Sequence, residues 1–273
     1  EVSKRLVEYS VPLTMTMGAN VINGRADTIL LSVFRGPTAI GFYTLGKQIA
    51  GFVIAPALSL GFGISPTFGE EKAADNLEIA ARLYERSLTY IGAIYAPAAA
   101  GIVLVADPGI RHIFGESFAG AIPVLQIFSV FVFIRSIDAI TSDALDYMGR
   151  ARARAIAKGG VAIGNIVLNL LLIPPFGLLG ATVATVLTYG VYVSAEVAII
   201  FDELPLDVRK LARSGAHVAG ITAGMSLVVY ALTGIIAGLP SLIGVVATGG
   251  GVWLSLTVTT GLISYREVKT ALL

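Results

Sequence analysis

Polar punctuation cuts this chain into apolar runs of roughly 20 residues or more, the length a helix needs to cross about 30 Å of hydrocarbon. The runs fall near 11–34, 40–68, 88–106, 118–148, 156–173, 178–201, 216–237 and 242–264. Of 273 residues, 55% are hydrophobic and 14% charged, with a mean hydropathy of +0.82. A soluble chain needs a polar face on most of its helices, and these runs offer none. The fold class that follows is all-α: a polytopic transmembrane helix bundle of about eight spans. The second and fourth runs are too long for one straight crossing, so tilt, kinks or extension beyond the bilayer are expected. Pro12, Pro56, Pro66, Pro97 and Pro123 lie in or at the edges of the runs. Each removes a backbone donor and bends its helix, which a bundle tolerates where neighbours satisfy the freed group.

Basic residues test this map, because loops retained on the cytoplasmic side keep Lys and Arg. One side collects Lys4, Arg5, Lys72, Arg82, Arg86, Arg150, Arg152, Arg154, Lys158, Arg209, Lys210, Arg213, Arg266 and Lys269, whereas the other holds Arg35 and Arg111. Both termini are therefore expected on the cytoplasmic side. The stretch 69–86 mixes acids and bases at helical spacing and predicts an amphipathic interfacial helix. The outer connection 107–117, with Ile110, Ile113 and Phe114, predicts a segment dipping back into the interface. Glycines four apart at Gly160/Gly164, Gly220/Gly224 and Gly234/Gly238 suit close helix approach, although glycine is frequent in membrane helices anyway. The domain division expected is a six-helix lobe over 1–201 and two additional helices over 202–273, the last pair nearly uncharged. The first residue is Glu1 and no signal-peptide pattern opens the chain, which predicts a processed terminus or a longer parent protein.

Several chemistries find no support. A net charge of +1 and the lack of an aromatic-laced basic stretch exclude a nucleic-acid groove. With no cysteine, disulfides, thiolate nucleophiles and thiol-bound metals are excluded. His112 and His217 show no metal-ligand spacing, and no Gly-rich loop ends in Lys-Ser/Thr as a nucleotide phosphate site requires. Asp143 and Asp146 faintly resemble the acidic pairs of membrane prenyl-transferring enzymes, yet their place beside Gly149 and a run of arginines reads as a solvated turn. No catalytic residue, cofactor or metal is assigned, and the chain is read as not an enzyme.

Ionisable groups inside hydrocarbon cost several kcal/mol unless paired or hydrated, so Arg25, Asp27, Lys47, Arg135, Asp138 and Glu196 are the functional candidates. Glu196, near the cytoplasmic end of its run, is expected to snorkel to the interface. Arg135 and Asp138 are three apart, share a helix face and can pair. Arg25 and Asp27 are two apart and cannot, so each needs water or another helix, and Asp27 with Lys47 is a plausible pair. The three cations exceed the two acids by one charge. Two arrangements satisfy this set: a hydrated, mildly cationic cavity that attracts a phosphate or diphosphate, or closed salt bridges that hold the bundle in register. Polar amides form a second layer: Asn20 and Asn23, Gln48, Gln126, and the four-apart pair Asn165 and Asn169, suited to inter-helix hydrogen bonds or sugar hydroxyls. Phe131, Phe133, Tyr189 and Tyr192 read first as core or interface aromatics.

Four stretches together resemble the polysaccharide (oligosaccharidyl-lipid) flippase family of the multidrug/oligosaccharidyl-lipid/polysaccharide exporter superfamily. They are EYSVPLTMTMGANVINGRADTILLSVF at 8–34, followed by Gly41-Phe42-Tyr43 and Ser65-Pro66; IFGESFAGAIP at 113–123; and NIVLNLLLIPPFGLLGA at 165–181, which follows the basic loop from Gly149 and is the most specific. The resemblance spans essentially the whole chain and matches the C-terminal half of such a protein, its second lobe plus two trailing helices. It implies a two-lobe helical fold whose central cavity alternates access, a polyprenyl-phosphate- or diphosphate-linked oligosaccharide as substrate, and ion-gradient coupling in some members. The partners implied are that glycan, membrane lipids, and a missing N-terminal lobe or a second copy of this chain. By position, Arg25, Asp27, Lys47 and Arg135 would face the cavity, with Asp138, Asn165 and Asn169 completing the candidate substrate site. A multidrug and toxin extrusion antiporter of the same superfamily would carry cations and suits a cationic cavity poorly. A non-transporting scaffold and a membrane-embedded glycan enzyme are the readings from other classes.

Overall fold

The computed structural model describes residues 25–262. Lys4, Arg5, Pro12, Asn20, Asn23, Arg266 and Lys269 lie outside the described residues, as does the first part of the 11–34 run. Helix α1 is described over 25–35. It is followed by α2 (Pro37–Ala73), α3 (Leu77–Phe114), a 3-10 turn (Glu116–Ala121), α4 (Ile122–Tyr147), α5 (Ala151–Glu203), α6 (Val208–Thr233) and α7 (Leu239–Thr259). Six of these helices are long and apolar enough to cross a membrane. Large apolar side chains such as Phe52, Phe62 and Leu227 stand exposed on the outside, as lipid-covered surface requires. The protein is an all-α polytopic membrane bundle.

The 53-residue α5 is two crossings joined at a break. Pro174 and Pro175 remove two backbone donors, and Gly177 follows at φ 58°, ψ −129°, a region a side chain opposes. The break strips carbonyls of their helical partners, and Arg35 at the end of α1 replaces them. It donates to the carbonyl of Pro174 at 2.6 Å and to that of Ile173 at 3.4 Å. Each leg is about 39 Å long at 1.5 Å per residue, enough to span the hydrocarbon. Pro56 in α2 is answered similarly, but through a donor: the Tyr95 hydroxyl of α3 accepts the backbone N–H of Ala57 at 2.9 Å.

Charge-bearing ends proved helical where the apolar runs stop. The third run, 88–106, is the middle of the 38-residue α3. The stretch 69–86 is no separate interfacial helix: it finishes α2, turns at 74–76 and begins α3. The outer connection likewise remains helical through Phe114 before the 3-10 turn, with Ile110 buried against Ala106 and Ala121. Backbone hydrogen bonding continues past the hydrocarbon because the side chains there can reach water or each other, as in the Arg111–Asp107 pair at 2.9 Å.

Alternate turns gather at one end of the bundle. Lys72 at the end of α2 donates to the carbonyl of Met148 at 2.9 Å and to Glu203 at 2.7 Å, and Arg150 joins the same carboxylate at 2.6 Å. Glu85 on α3 accepts the Asp207 backbone N–H at 2.8 Å and the Lys210 ammonium at 2.7 Å. These bonds hold the α4–α5 turn and the start of α6 beside the α2–α3 end, while Arg35 marks the opposite end. Helix α6 packs on α3, and α7 packs on both, with the Trp253 indole donating to the Ala93 carbonyl at 2.7 Å.

Of the four-apart glycines, Gly224 on α6 approaches α7, where an added Cβ would lie 3.0 Å from the Leu256 side chain. Among the described residues, nothing lies near a Cβ built on Gly160, Gly164 or Gly220, and Gly234 and Gly238 are at helix ends. Helices α2 and α4 meet at Gly61, where an added Cβ would lie 2.0 Å from the Ala139 carbonyl oxygen. Because that neighbour is backbone, it cannot rotate away. Gly61→Ala is therefore expected to destabilise the detergent-solubilised protein by about 1–3 kcal/mol, read as a lower thermal midpoint; an unchanged midpoint would show that the α2–α4 contact is looser than described.

Candidate functional site

Asp27 on α1 organises the site. Its carboxylate is 4% exposed, and the chain surrounds it with donors from three helices. Tyr43 of α2 donates its hydroxyl to Oδ2 at 2.6 Å, and the Thr185 hydroxyl of the second α5 leg lies 3.1 Å from the same oxygen. The Asn169 amide of the first leg donates to Oδ1 at 2.8 Å. Lys47, one turn beyond Tyr43 on α2, brings its ammonium to 3.8 Å and also stands over the Tyr43 ring. A charge buried this deeply persists only when paired and hydrogen-bonded, and here both conditions are met.

Beside this network lies a cavity of about 200 Å³, whose walls include Asp27, Lys47, Lys158, Asn165, Thr188, Tyr189 and Tyr192. The Lys47 side chain is 39% exposed, and Lys158 is exposed on the first leg of α5. Asn165 donates to the Thr188 hydroxyl at 3.0 Å, and Asn169 donates back to the Asn165 carbonyl at 2.9 Å. The four-apart amides thus form one stripe. Deeper along α4, Arg135 pairs with Asp138 and also donates to the Tyr189 hydroxyl, which donates to Asp138 at 2.6 Å. Tyr189 therefore joins the Arg135–Asp138 pair to the cavity wall.

The structure brings together Asp27, Lys47, Asn165 and Asn169 directly, and Arg135 with Asp138 through Tyr189. Arg25 is exposed and does not line the cavity, contrary to its expected place there: two residues from Asp27, it points away on the helix. Glu196 does not snorkel to the interface. It is 0% exposed, because α5 runs on past it to Glu203 and places it well inside the packed bundle. The residues missed were Tyr43, Lys158, Thr185, Thr188, Tyr189 and Tyr192. A usable signal existed: Thr185, Thr188, Tyr189 and Tyr192 fall at offsets of three, four and seven, a polar stripe along one helix face. Tyr189 and Tyr192 were read as core aromatics because each ring is indeed packed, 5.7 Å from the other, while their hydroxyls do the polar work. Among the described residues no cluster of acids or histidines could hold a metal ion.

Long apolar helices enclosing a polar pocket lined by charged side chains define a polytopic membrane protein. A family profile described as polysaccharide biosynthesis protein matches residues 1–123. The chain is 29% identical over 166 residues to "Probable flippase AglR" of Haloferax volcanii, covering 59% of this chain and 34% of that protein. It is 24% identical over 182 residues to "Probable low-salt glycan biosynthesis flippase Agl15" of the same organism, covering 64% and 39%. Among solved structures, the Lipid II flippase MurJ in an inward closed conformation superposes with a TM-score of 0.78 at 15% identity, over 97% of this chain and 55% of that one. These matches make the chain similar to polysaccharide-biosynthesis proteins and to proteins named as flippases, and its fold similar to that of a solved flippase. The chain spans about 34–39% of the length of these two curated relatives.

The Tyr43 hydroxyl is the shortest bond to Asp27, and its removal leaves a buried carboxylate short of a donor. Tyr43→Phe is expected to cost about 1–3 kcal/mol of stability in a thermal-unfolding measurement on the solubilised protein. Thr185→Val, which removes a longer contact to the same oxygen, is expected to cost less. The reverse order would mean that Thr185, not Tyr43, holds the carboxylate.

Proposed function

We propose that this chain is one lobe, with two additional helices, of a transporter that carries a polyprenyl-phosphate- or diphosphate-linked oligosaccharide across a membrane by alternating access. The observation that carries this reading is the charge balance of the cavity. Asp27, its acidic wall residue, is balanced by Lys47, so Lys158 leaves the wall with one positive charge in surplus, and Arg135 behind Tyr189 is balanced by Asp138. Ammonium groups in a partly desolvated pocket favour phosphate oxygens, and Asn165, Thr188 and the tyrosine hydroxyls suit sugar hydroxyls. A cation-extruding antiporter would need an acid free to receive its substrate, which Asp27 is not.

The lobe corresponds to 1–201 and the additional helices to 202–273, in keeping with the way α6 and α7 lie along α3. The transport pathway is completed by a further lobe, supplied by the same parent protein or by a second copy, facing the cavity. The end that carries the Lys72–Glu203–Arg150 cluster faces the cytoplasm, by the excess of Lys and Arg there, and both termini lie on that side. No catalytic step is required of the chain.

Lys47 tests the proposal better than Arg135: removing either takes a charged partner from a buried carboxylate, but Asp27 keeps three uncharged partners whereas Asp138 keeps only Tyr189. In a cell lacking its own lipid-linked-glycan flippase and carrying the matching glycan pathway, the full-length protein is expected to restore glycan assembly. Lys47→Ala should lower that rate about tenfold or more, equivalent to ~1.4 kcal/mol, with normal protein levels, and Lys47→Arg should recover much of it. Full rescue by Lys47→Ala would remove the cationic cavity from the mechanism.

A further inference from the structure

A second buried acid group lies outside the cavity and takes no part in the proposed substrate contacts. Asp138 on α4 and Glu196 on the second leg of α5 are 2% and 0% exposed, and their carboxyl groups are within hydrogen-bond reach of each other. Oδ2 of Asp138 is occupied by Arg135 and Tyr189. Oδ1 of Asp138 and both oxygens of Glu196 are buried with no hydrogen-bond partner among the described residues. Arg154 does not supply one. Its Nε lies 3.1 Å from Glu196, but that single N–H is directed to the Tyr192 hydroxyl, also at 3.1 Å, and another arm of its guanidinium holds Asp146.

We infer that Asp138 and Glu196 form a binding site for one proton. A hydrogen on Glu196 donates to Oδ1 of Asp138, while the Tyr192 hydroxyl, which accepts from Arg154, also stands within reach of the Glu196 carboxyl. Oδ2 of Asp138 already accepts from Arg135 and Tyr189, so Oδ1 is the oxygen left to accept. The local charges then close: Arg135 against Asp138, Arg154 against Asp146, and Glu196 neutral. Without the proton, two carboxyl groups face each other with no hydrogen to share between them. The other ionisable groups around the pair are Asp143 of α4, Tyr189 and Tyr192 of α5, and Tyr84 of α3, whose hydroxyl is bonded to Thr141 at 2.8 Å. None of them brings an uncommitted positive charge.

The proton enters from water and the only bond formed is O–H. Its presence clips α4 to the second leg of α5; its loss places two negative charges across that packed contact. The site thereby makes the α4–α5 contact depend on proton occupancy, whatever the protein transports.

Infrared spectroscopy of the full-length protein in lipid vesicles at neutral pH tests this. The wild type is expected to show the carbonyl stretch of a protonated carboxyl, shifted in heavy water, and Glu196→Gln is expected to remove it. A spectrum in which that band is absent from the wild type, or survives the substitution, overturns the inference. Thermal unfolding supplies the second arm, because Gln is close in shape to a neutral Glu. If Glu196 is protonated, Glu196→Gln keeps or raises the midpoint; if it is a carboxylate neutralised by Arg154, the variant leaves that guanidinium unbalanced and the midpoint falls, which also overturns the inference.

Discussion

Hydrocarbon offers no hydrogen bonds, so every polar group that this bundle takes into the membrane must find its partner within the protein. That constraint explains why the polar residues are not scattered. Asp27 collects Tyr43, Asn169, Thr185 and Lys47, and Arg135, Asp138 and Tyr189 form a closed triangle. Each cluster joins helices far apart in sequence, and each therefore fixes how α1, α2, α4 and the two legs of α5 face one another. Apolar packing alone would specify this poorly, because lipid tails are as good a neighbour for Leu as another helix is.

The same constraint governs the irregular backbone. The break at Pro174, Pro175 and Gly177 is possible only because Arg35 reaches the carbonyls it frees. A basic residue that the charge distribution assigned simply to an outer loop is thus a capping group for another helix. Similarly, Pro56 is tolerated because the Tyr95 hydroxyl takes the neighbouring amide. Where backbones approach most closely, at Gly61 against Ala139, the contact is one that no glycine spacing announced. A single glycine facing a carbonyl across two helices leaves no periodic trace.

Much of the fold was legible because its cause is local. A hydrophobic run long enough to cross hydrocarbon is visible one residue at a time, and the breaks at 174–177 and 204–207 carry proline and charge. Run ends were less legible: Leu77–Arg86 and Asp107–Phe114 are polar by composition yet helical, since a helix need not stop where the bilayer does. Of the site, the i,i+3 pair Arg135–Asp138 and the link from Asp27 to Lys47 could be read from spacing and from the cost of burial. Tyr43 and Thr185 could not, because a tyrosine or threonine in an apolar run is unremarkable until the carboxylate it serves is placed beside it. Glu196 misled for the opposite reason. Its distance from the end of the run suggested access to water, but the helix continues beyond it.

Satisfying Asp27 so completely also determines what remains to be satisfied. An acid with vacant oxygens would make the cavity a cation site; Asp27 instead accepts from three uncharged partners and has the Lys47 ammonium 3.8 Å away. The Asp27–Lys47 pair thus acts on the cavity by subtraction, one negative charge against one positive, leaving the ammonium group of Lys158 as the surplus charge on the wall. A cavity of about 200 Å³ is smaller than the glycan-bearing lipid proposed as substrate, so under that proposal the pocket addresses only a compact anionic part of the molecule.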